Sequence, residues 1–291
     1  MLQTEIQEIW LEVDGMRIHC LTAGENGSPV VLLHGGGIDS ATLSWSEAIG
    51  PVSEQHLVFA PDLPGYGLSD VPDIQYTTDF YVNFVLHLLE TLHLEKVSLV
   101  GLSMGGGIAL SFALRFPERV EKLVLVDSYG IIGADMWPRW IYLLLYFYVH
   151  HLSFLNELTY HYMGSSRKRV RWALAAAGVV HSADRLSPRL VDQVYQYAHL
   201  PGRGKAFTSW QQSEFMWNGP RTNLIERLPE IVVPALLING EKDRDVPLSY
   251  AQKAHERIAG SQLYVLKDCG HWPQREMPDE FNHIVGKFLD S

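Results

Sequence analysis

The sequence predicts an α/β fold in which a mostly parallel central sheet, flanked by helices, is interrupted by a helical insertion. Three observations carry this. Short continuous apolar runs at residues 30–33, 97–100, 122–126 and 235–239 read as strands buried on both faces. Helical apolar stripes separate them, and a β-α-β-α alternation implies parallel strands joined by crossover helices. Between residues 130 and 228 the pattern stops: no clear strand is legible, and five of the chain's eight tryptophans fall there.

In chain order, residues 9–13 and 16–21 flank Asp14-Gly15, a strong hairpin signal. The run 30–33 ends in His34-Gly35-Gly36-Gly37, and the strand 56–60 is stopped by Pro61. Phe80, Phe84, Val85, Leu88, Leu89 and Leu92 share one helical stripe. The segment MGGGIALSFALRF reads as a helix closed before Pro117. Within 130–228, helices are expected at 137–150, 165–181 and 188–198; beyond it, strands at 235–239 and 262–266 and helices at 250–258 and 278–289. The expected division is a core of residues 1–129 and 229–291 around an inserted unit of residues 130–228.

The 291 residues are 47% hydrophobic and 19% charged, which suits one large core and excludes wholesale disorder. The net charge of −10 gives no basic excess for nucleic acid. The charge is uneven: residues 130–228 hold eleven Arg and Lys against six Asp and Glu. Cys20 and Cys269 have no metal-ligand spacing and are too few for a disulfide framework. With no signal-peptide pattern in MLQTEIQEIWLEVDG, a cytoplasmic location is expected. The most apolar run, residues 140–149, is half the roughly 20 residues of a membrane span, and is expected as a buried or covering helix.

The segment Gly101-Leu102-Ser103-Met104-Gly105 lies between a predicted strand and a predicted helix. That context turns G-x-S-x-G into a nucleophile elbow, a turn so tight that its serine is strained and exposed over the sheet. A serine hydroxyl needs a base. His271, in Asp268-Cys269-Gly270-His271-Trp272, follows the last strand and is the candidate. The imidazole needs an acid to fix its tautomer. Asp243, just beyond the strand LLIN, is the first choice, Asp127 the second and Asp245 the third. Acyl transfer also needs N–H donors for an oxyanion; the backbone N–H groups of Met104 and Gly36 are expected to supply them. Gly35, Gly37 and Trp272 are expected to touch substrate, and His34 to be structural.

Together LLHGGG, DLPGYGLSD, GLSMGG, NGEKDRDVP and CGHWPQ resemble the α/β-hydrolase superfamily, over nearly all of the chain outside 130–228. The resemblance implies the α/β-hydrolase fold, a helical cap at 130–228, catalysis by Ser103, Asp243 and His271, and no metal or organic cofactor. Serine at position 103 sets the chain apart from the dehalogenase and epoxide hydrolase branches, which use aspartate. The expected activity is serine hydrolysis of a small apolar carbonyl substrate, with a carboxylic ester placed first. The alternative is carbon–carbon bond hydrolysis of meta-ring-cleavage products (2-hydroxy-6-oxo-dienoates), and a further one is a non-catalytic ligand receptor. Trp45 after HGGG, the SMGG elbow and Trp272 resemble the carbon–carbon branch; Leu102, where that branch has asparagine, departs from it. Arg167-Lys168-Arg169 reads as a solvated helix face or as a receiver of anionic substrate. The expected partner is a small-molecule substrate, with a homo-oligomer left open, no nucleic acid and no membrane span. A scaffold role for the 140–149 segment would require an exposed apolar patch.

Overall fold

The computed structural model describes residues 5–202 and 204–291. The chain opens with the hairpin β1 (Gln7–Val13) and β2 (Met16–Ala23), turned by Asp14 and Gly15 at φ +53° and +74°. Both angles are left-handed, as a two-residue turn matched to strand twist requires. Then follow β3 (Pro29–Leu33), the short helices α1 (Ala41–Trp45) and α2 (Ile49–Ser53), and β4 (Leu57–Pro61). Next come α3 (Thr78–Thr91), β5 (Val97–Leu102), α4 (Met104–Arg115) and β6 (Val120–Val126). After β6 the chain leaves the sheet for α5 (Arg139–His151), α6 (Phe154–Gly164), α7 (Arg167–Ala176), α8 (Pro188–Tyr197) and α9 (Lys205–Glu214). A two-stranded ribbon, β7 (Phe215–Met216) with β8 (Gly219–Pro220), ends this excursion. The sheet resumes with β9 (Ala235–Gly240), α10 (Leu248–Arg257), β10 (Gln262–Leu266), α11 (Pro273–Glu276) and α12 (Pro278–Leu289).

The eight-stranded sheet has the order β1-β2-β4-β3-β5-β6-β9-β10. Pairing is parallel from β4 through β10, and antiparallel only for β1 with β2 and β2 with β4. Every residue of β5 and β9 is buried, as continuous apolar runs in a doubly covered sheet must be. Two apolar clusters lie on its two faces: one around Phe84, Leu88 and Phe112, the other around Trp45, Ile49 and Phe281. Trp45 therefore belongs to the core.

The excursion between β6 and β9 is richer than the sequence suggested. Helices α6 and α9 and the ribbon were not anticipated, and α7 is shorter than the expected 165–181. The Gly202-Arg203-Gly204 run masks the start of α9: Gly204 takes φ +76° at its N-cap and reads as a loop in isolation. Among the described residues no helix is long and apolar enough to cross a membrane.

Candidate active site

Ser103 stands between β5 and α4 at φ +49°, ψ −116°, a conformation that costs a non-glycine residue roughly 1–3 kcal/mol. The surroundings hold it there. Ser103 N donates to Val126 O at 2.9 Å, and Ser103 O accepts from Gly107 N at 3.0 Å and Tyr129 N at 2.9 Å. The turn requires glycine at position 105, where a Cβ would meet Leu33 O at 2.3 Å. The motif's second glycine is thus a packing necessity that lets α4 start directly against β3.

Ser103 and His271 line one cavity of about 480 Å³, together with Gly35, Gly36, Gly37, Met104 and Trp272. Seven of the eight expected site residues therefore share a single space. Asp243 is the eighth and sits behind His271, with Oδ2 at 2.8 Å from His271 Nδ1. Its side chain is fully buried. Burial opposes charge on both partners, yet their attraction wins. The Asp243 carboxyl is held below the ordinary carboxylate value, and the His271 imidazolium is lifted to about 9. The bond from Nδ1 to a carboxylate leaves Nε2 as the ring's free nitrogen.

Asp127 and Asp245 take different places. Asp127 follows β6 at φ +41° and is fully buried. Its Oδ1 accepts from Gly240 N at 2.9 Å, and its Oδ2 has no partner beyond the neighbouring Asp243 carboxyl. One ligand atom from each of Asp127, Asp243 and His271 falls within 4.8 Å of the others. Burial first, then the Asp243 charge, pushes the Asp127 carboxyl well above its usual range, so it stays protonated beside an ionised partner. Asp245 lines the cavity, and Asp243 Oδ1 accepts from Asp245 N at 2.8 Å.

The glycine loop is organised by Asp39, a residue that sequence reasoning passed over. Its buried carboxylate accepts from Gly35 N at 2.8 Å, Ser40 N at 2.7 Å and Ser44 Oγ at 2.8 Å. These bonds fold the loop back so that its peptide groups face the cavity. Among the described residues Gly36 N–H has no acceptor, and Met104 N–H is the first of α4, beyond reach of any carbonyl within its helix. Both are free to receive an oxyanion. The signal available in sequence was weak: an acidic residue before the Ser40 N-cap, a pairing common in ordinary turns.

His34 is fully buried and does not reach the cavity. Its Nε2 accepts from Leu63 N at 3.0 Å, so Nδ1 carries the proton and donates to Gly35 O at 2.8 Å. It ties the glycine loop to the DLPGYGLSD segment. Trp272 N donates to Val179 O at 3.0 Å, and Glu276 accepts from Gly270 N at 2.8 Å and His181 N at 2.9 Å. The His271 loop is thereby clamped to the turn after α7. The roof of the cavity comes from the excursion: Tyr142, Tyr160, Met163, Leu174, Phe207 and Trp210 line it. Arg167, Lys168 and Arg169 are exposed and do not. Among the described residues no Lys or Arg lines the cavity.

A family model for the alpha/beta hydrolase fold matches residues 28–278. The chain is 31% identical over 289 residues to a 2-hydroxymuconate semialdehyde hydrolase of Pseudomonas sp. (strain CF600), covering 94% of this chain and 91% of that protein. It is 31% identical over 278 residues to the 2-hydroxy-6-oxononadienedioate/2-hydroxy-6-oxononatrienedioate hydrolase of Escherichia coli (strain K12), with the same coverage of 94% and 91%. Among solved structures, a meta-cleavage product hydrolase from Pseudomonas fluorescens IP01 superimposes with a TM-score of 0.77 at 27% identity, over 100% of this chain and 99% of that one. A doubly covered parallel sheet, a strained serine at a strand–helix elbow and these matches along its length agree: the chain belongs to the α/β-hydrolase fold family, as an enzyme of the serine hydrolase type.

Proposed function

We propose that the chain cleaves an apolar carbonyl substrate by nucleophilic catalysis at Ser103. One observation carries this: Ser103 and His271 face the same apolar cavity while Asp243 holds the imidazole from behind. Residues 1–129 and 229–291 act as the catalytic core and residues 130–228 as its cap. Ser103 Oγ attacks the carbonyl carbon as His271 Nε2 takes its proton. The N–H groups of Gly36 and Met104 receive the oxyanion. His271 returns the proton to the leaving group, and water, deprotonated by the same imidazole, releases the acid and restores Ser103. Gly35, Gly37 and Trp272 shape the space around the reacting carbon.

For the bond cleaved, carbon–carbon hydrolysis of a 2-hydroxy-6-oxo-dienoate is the first reading. It is supported by the activities named for the relatives at 31% identity, and it replaces the ester as the leading expectation. A neutral ester is the second reading, favoured by one specific observation. The described cavity walls present no Lys or Arg to a substrate carboxylate, and Leu102 stands where the carbon–carbon branch has asparagine. Burying an unpaired carboxylate in such walls is costly.

A side-by-side assay of a ring-cleavage dienoate and short-chain p-nitrophenyl esters tests both. Turnover of the dienoate with poor ester cleavage supports the first reading, and the reverse supports the second. If neither is turned over and a fluorophosphonate fails to label Ser103, the site binds without catalysis and the proposal is lost.

A further inference from the structure

The cap helices carry an apolar face that the cavity does not use. On α5, Trp140, Leu143, Leu144 and Phe147 recur at helical spacing and are 53–63% exposed. On α6, Phe154, Leu158 and Tyr162 form the matching stripe at 58–62% exposed. Only Leu152 and Ser153 separate the two helices, and α6 packs on α7, where Trp172 is 62% exposed. Scattered surface leucines are ordinary, but eight large exposed apolar side chains, seven of them in stripes at helical spacing, on three consecutive helices are not, and apolar surface gathered in this way marks docking sites.

Charge indicates the occupant. Residues 139–176 contain five Arg and Lys and one acidic residue, in a chain whose net charge is −10. The cations flank the stripe. The Arg169 guanidinium lies 4.2 Å over the exposed Tyr162 ring, and that of Arg139 lies 5.5 Å over the half-exposed Trp217 ring. Lys168 stands one turn before Trp172 on α7. An apolar helix face with tryptophan and tyrosine, rimmed by Lys and Arg, matches a bilayer interface whose headgroups are anionic. A second copy of the chain matches it less well, because pairing this face with itself would bring two sets of cations together.

We propose that the outer face of α5–α7 docks the enzyme onto an anionic lipid surface. The same three helices roof the cavity with Tyr142, Tyr160, Met163, Val170 and Leu174 on their inner side. A docked cap would therefore lie about one helix diameter, ~10 Å, from the catalytic space, placing it next to apolar molecules dissolved in the bilayer. This is independent of which bond is cleaved.

Flotation of the full-length protein with phosphatidylglycerol/phosphatidylcholine vesicles, against phosphatidylcholine alone, tests it. Binding is expected to the anionic vesicles and to fall with salt. The double variant Lys168→Gln/Arg169→Gln should weaken it by roughly 25-fold, taking about fivefold per cation near the surface. Leu144→Gln/Phe147→Gln should weaken it by at least tenfold. None of these side chains lines the cavity, so hydrolysis of a water-soluble ester or dienoate serves as the control for folding and should stay unchanged. The proposal is overturned if the wild-type protein stays unbound with anionic vesicles. It is equally overturned if light scattering shows a dimer that Leu144→Gln/Phe147→Gln dissociates, since the face would then belong to a second copy.

Discussion

The Phe207 ring lies so close over Gly36 that a Cβ on that glycine would meet Phe207 Cε2 at 2.3 Å. One contact thus joins α9 to the peptide proposed to bind the oxyanion. Any side chain at position 36 must push the ring, the peptide, or both.

Gly36→Ala is therefore expected to lower kcat by about 10²–10³-fold, the usual consequence of losing one oxyanion donor. Adding Phe207→Ala should recover a substantial part, because the space is restored and the peptide can return. Steady-state kinetics of the two single variants and the double variant check this. Strict additivity of the losses would show that the ring and the peptide act separately.

Ser103→Gly should separate activity from stability. Turnover should fall by several orders of magnitude with the proposed nucleophile gone, by on the order of 10⁶-fold where the serine works as part of a triad. Thermal stability should rise, by on the order of 1 kcal/mol, because glycine adopts φ +49° without strain and that gain exceeds its entropic penalty. Denaturant titration with unchanged m-values gives the comparison.

The two aspartates should respond in opposite ways to the same substitution. Asp243→Asn deprives the imidazole of its carboxylate and is expected to cost about 10⁴-fold in kcat. Asp127→Asn should stay within about tenfold of wild type. An amide can accept from Gly240 N and donate to Asp243, as the protonated acid does. Asp127→Leu leaves Gly240 N–H buried without an acceptor and should cost about 1–3 kcal/mol of stability. If Asp127→Asn abolished turnover and Asp243→Asn did not, the proposed acid assignment would be reversed.

The pH profile should carry the His271–Asp243 pair. A base must be unprotonated to act, and against the opposing effect of burial Asp243 first, then Asp245 and Asp39, lift the imidazolium from 6.5 to about 9. The acid limb of kcat/KM is therefore expected well above the ordinary histidine range, with activity rising as pH rises. Asp243→Asn removes the largest attraction and leaves burial, which acts the other way, opposed only by the weaker pull of Asp245 and Asp39, so the limb should move down. Stability follows the same linkage. A raised folded-state value stabilises fully below about 6.5 and is lost as pH climbs through about 9. Melting curves over that interval should show a decline that is smaller in the variant.

What the sequence determined by itself was local. Continuous apolar runs specified β3, β5, β6 and β9, since a strand covered on both faces has no polar side to show. The elbow was legible because strand, glycine, serine and helix follow one another within a few residues of chain. What only the tertiary structure decided depends on neighbours far apart in sequence. Asp243 rather than Asp127 faces His271 because β9 and β10 lie side by side, putting their C-terminal loops in contact, while the end of β6 is left to support Asp243 from behind. Asp39 became visible only when the loop it folds was seen closed over the cavity. The 140–149 run read as one apolar segment, yet Tyr142 and Val149 point inward while Leu143, Leu144 and Phe147 point to solvent. Periodicity marks a helix face but not which side meets protein; that is fixed by what packs against it, and those partners lie elsewhere in the chain.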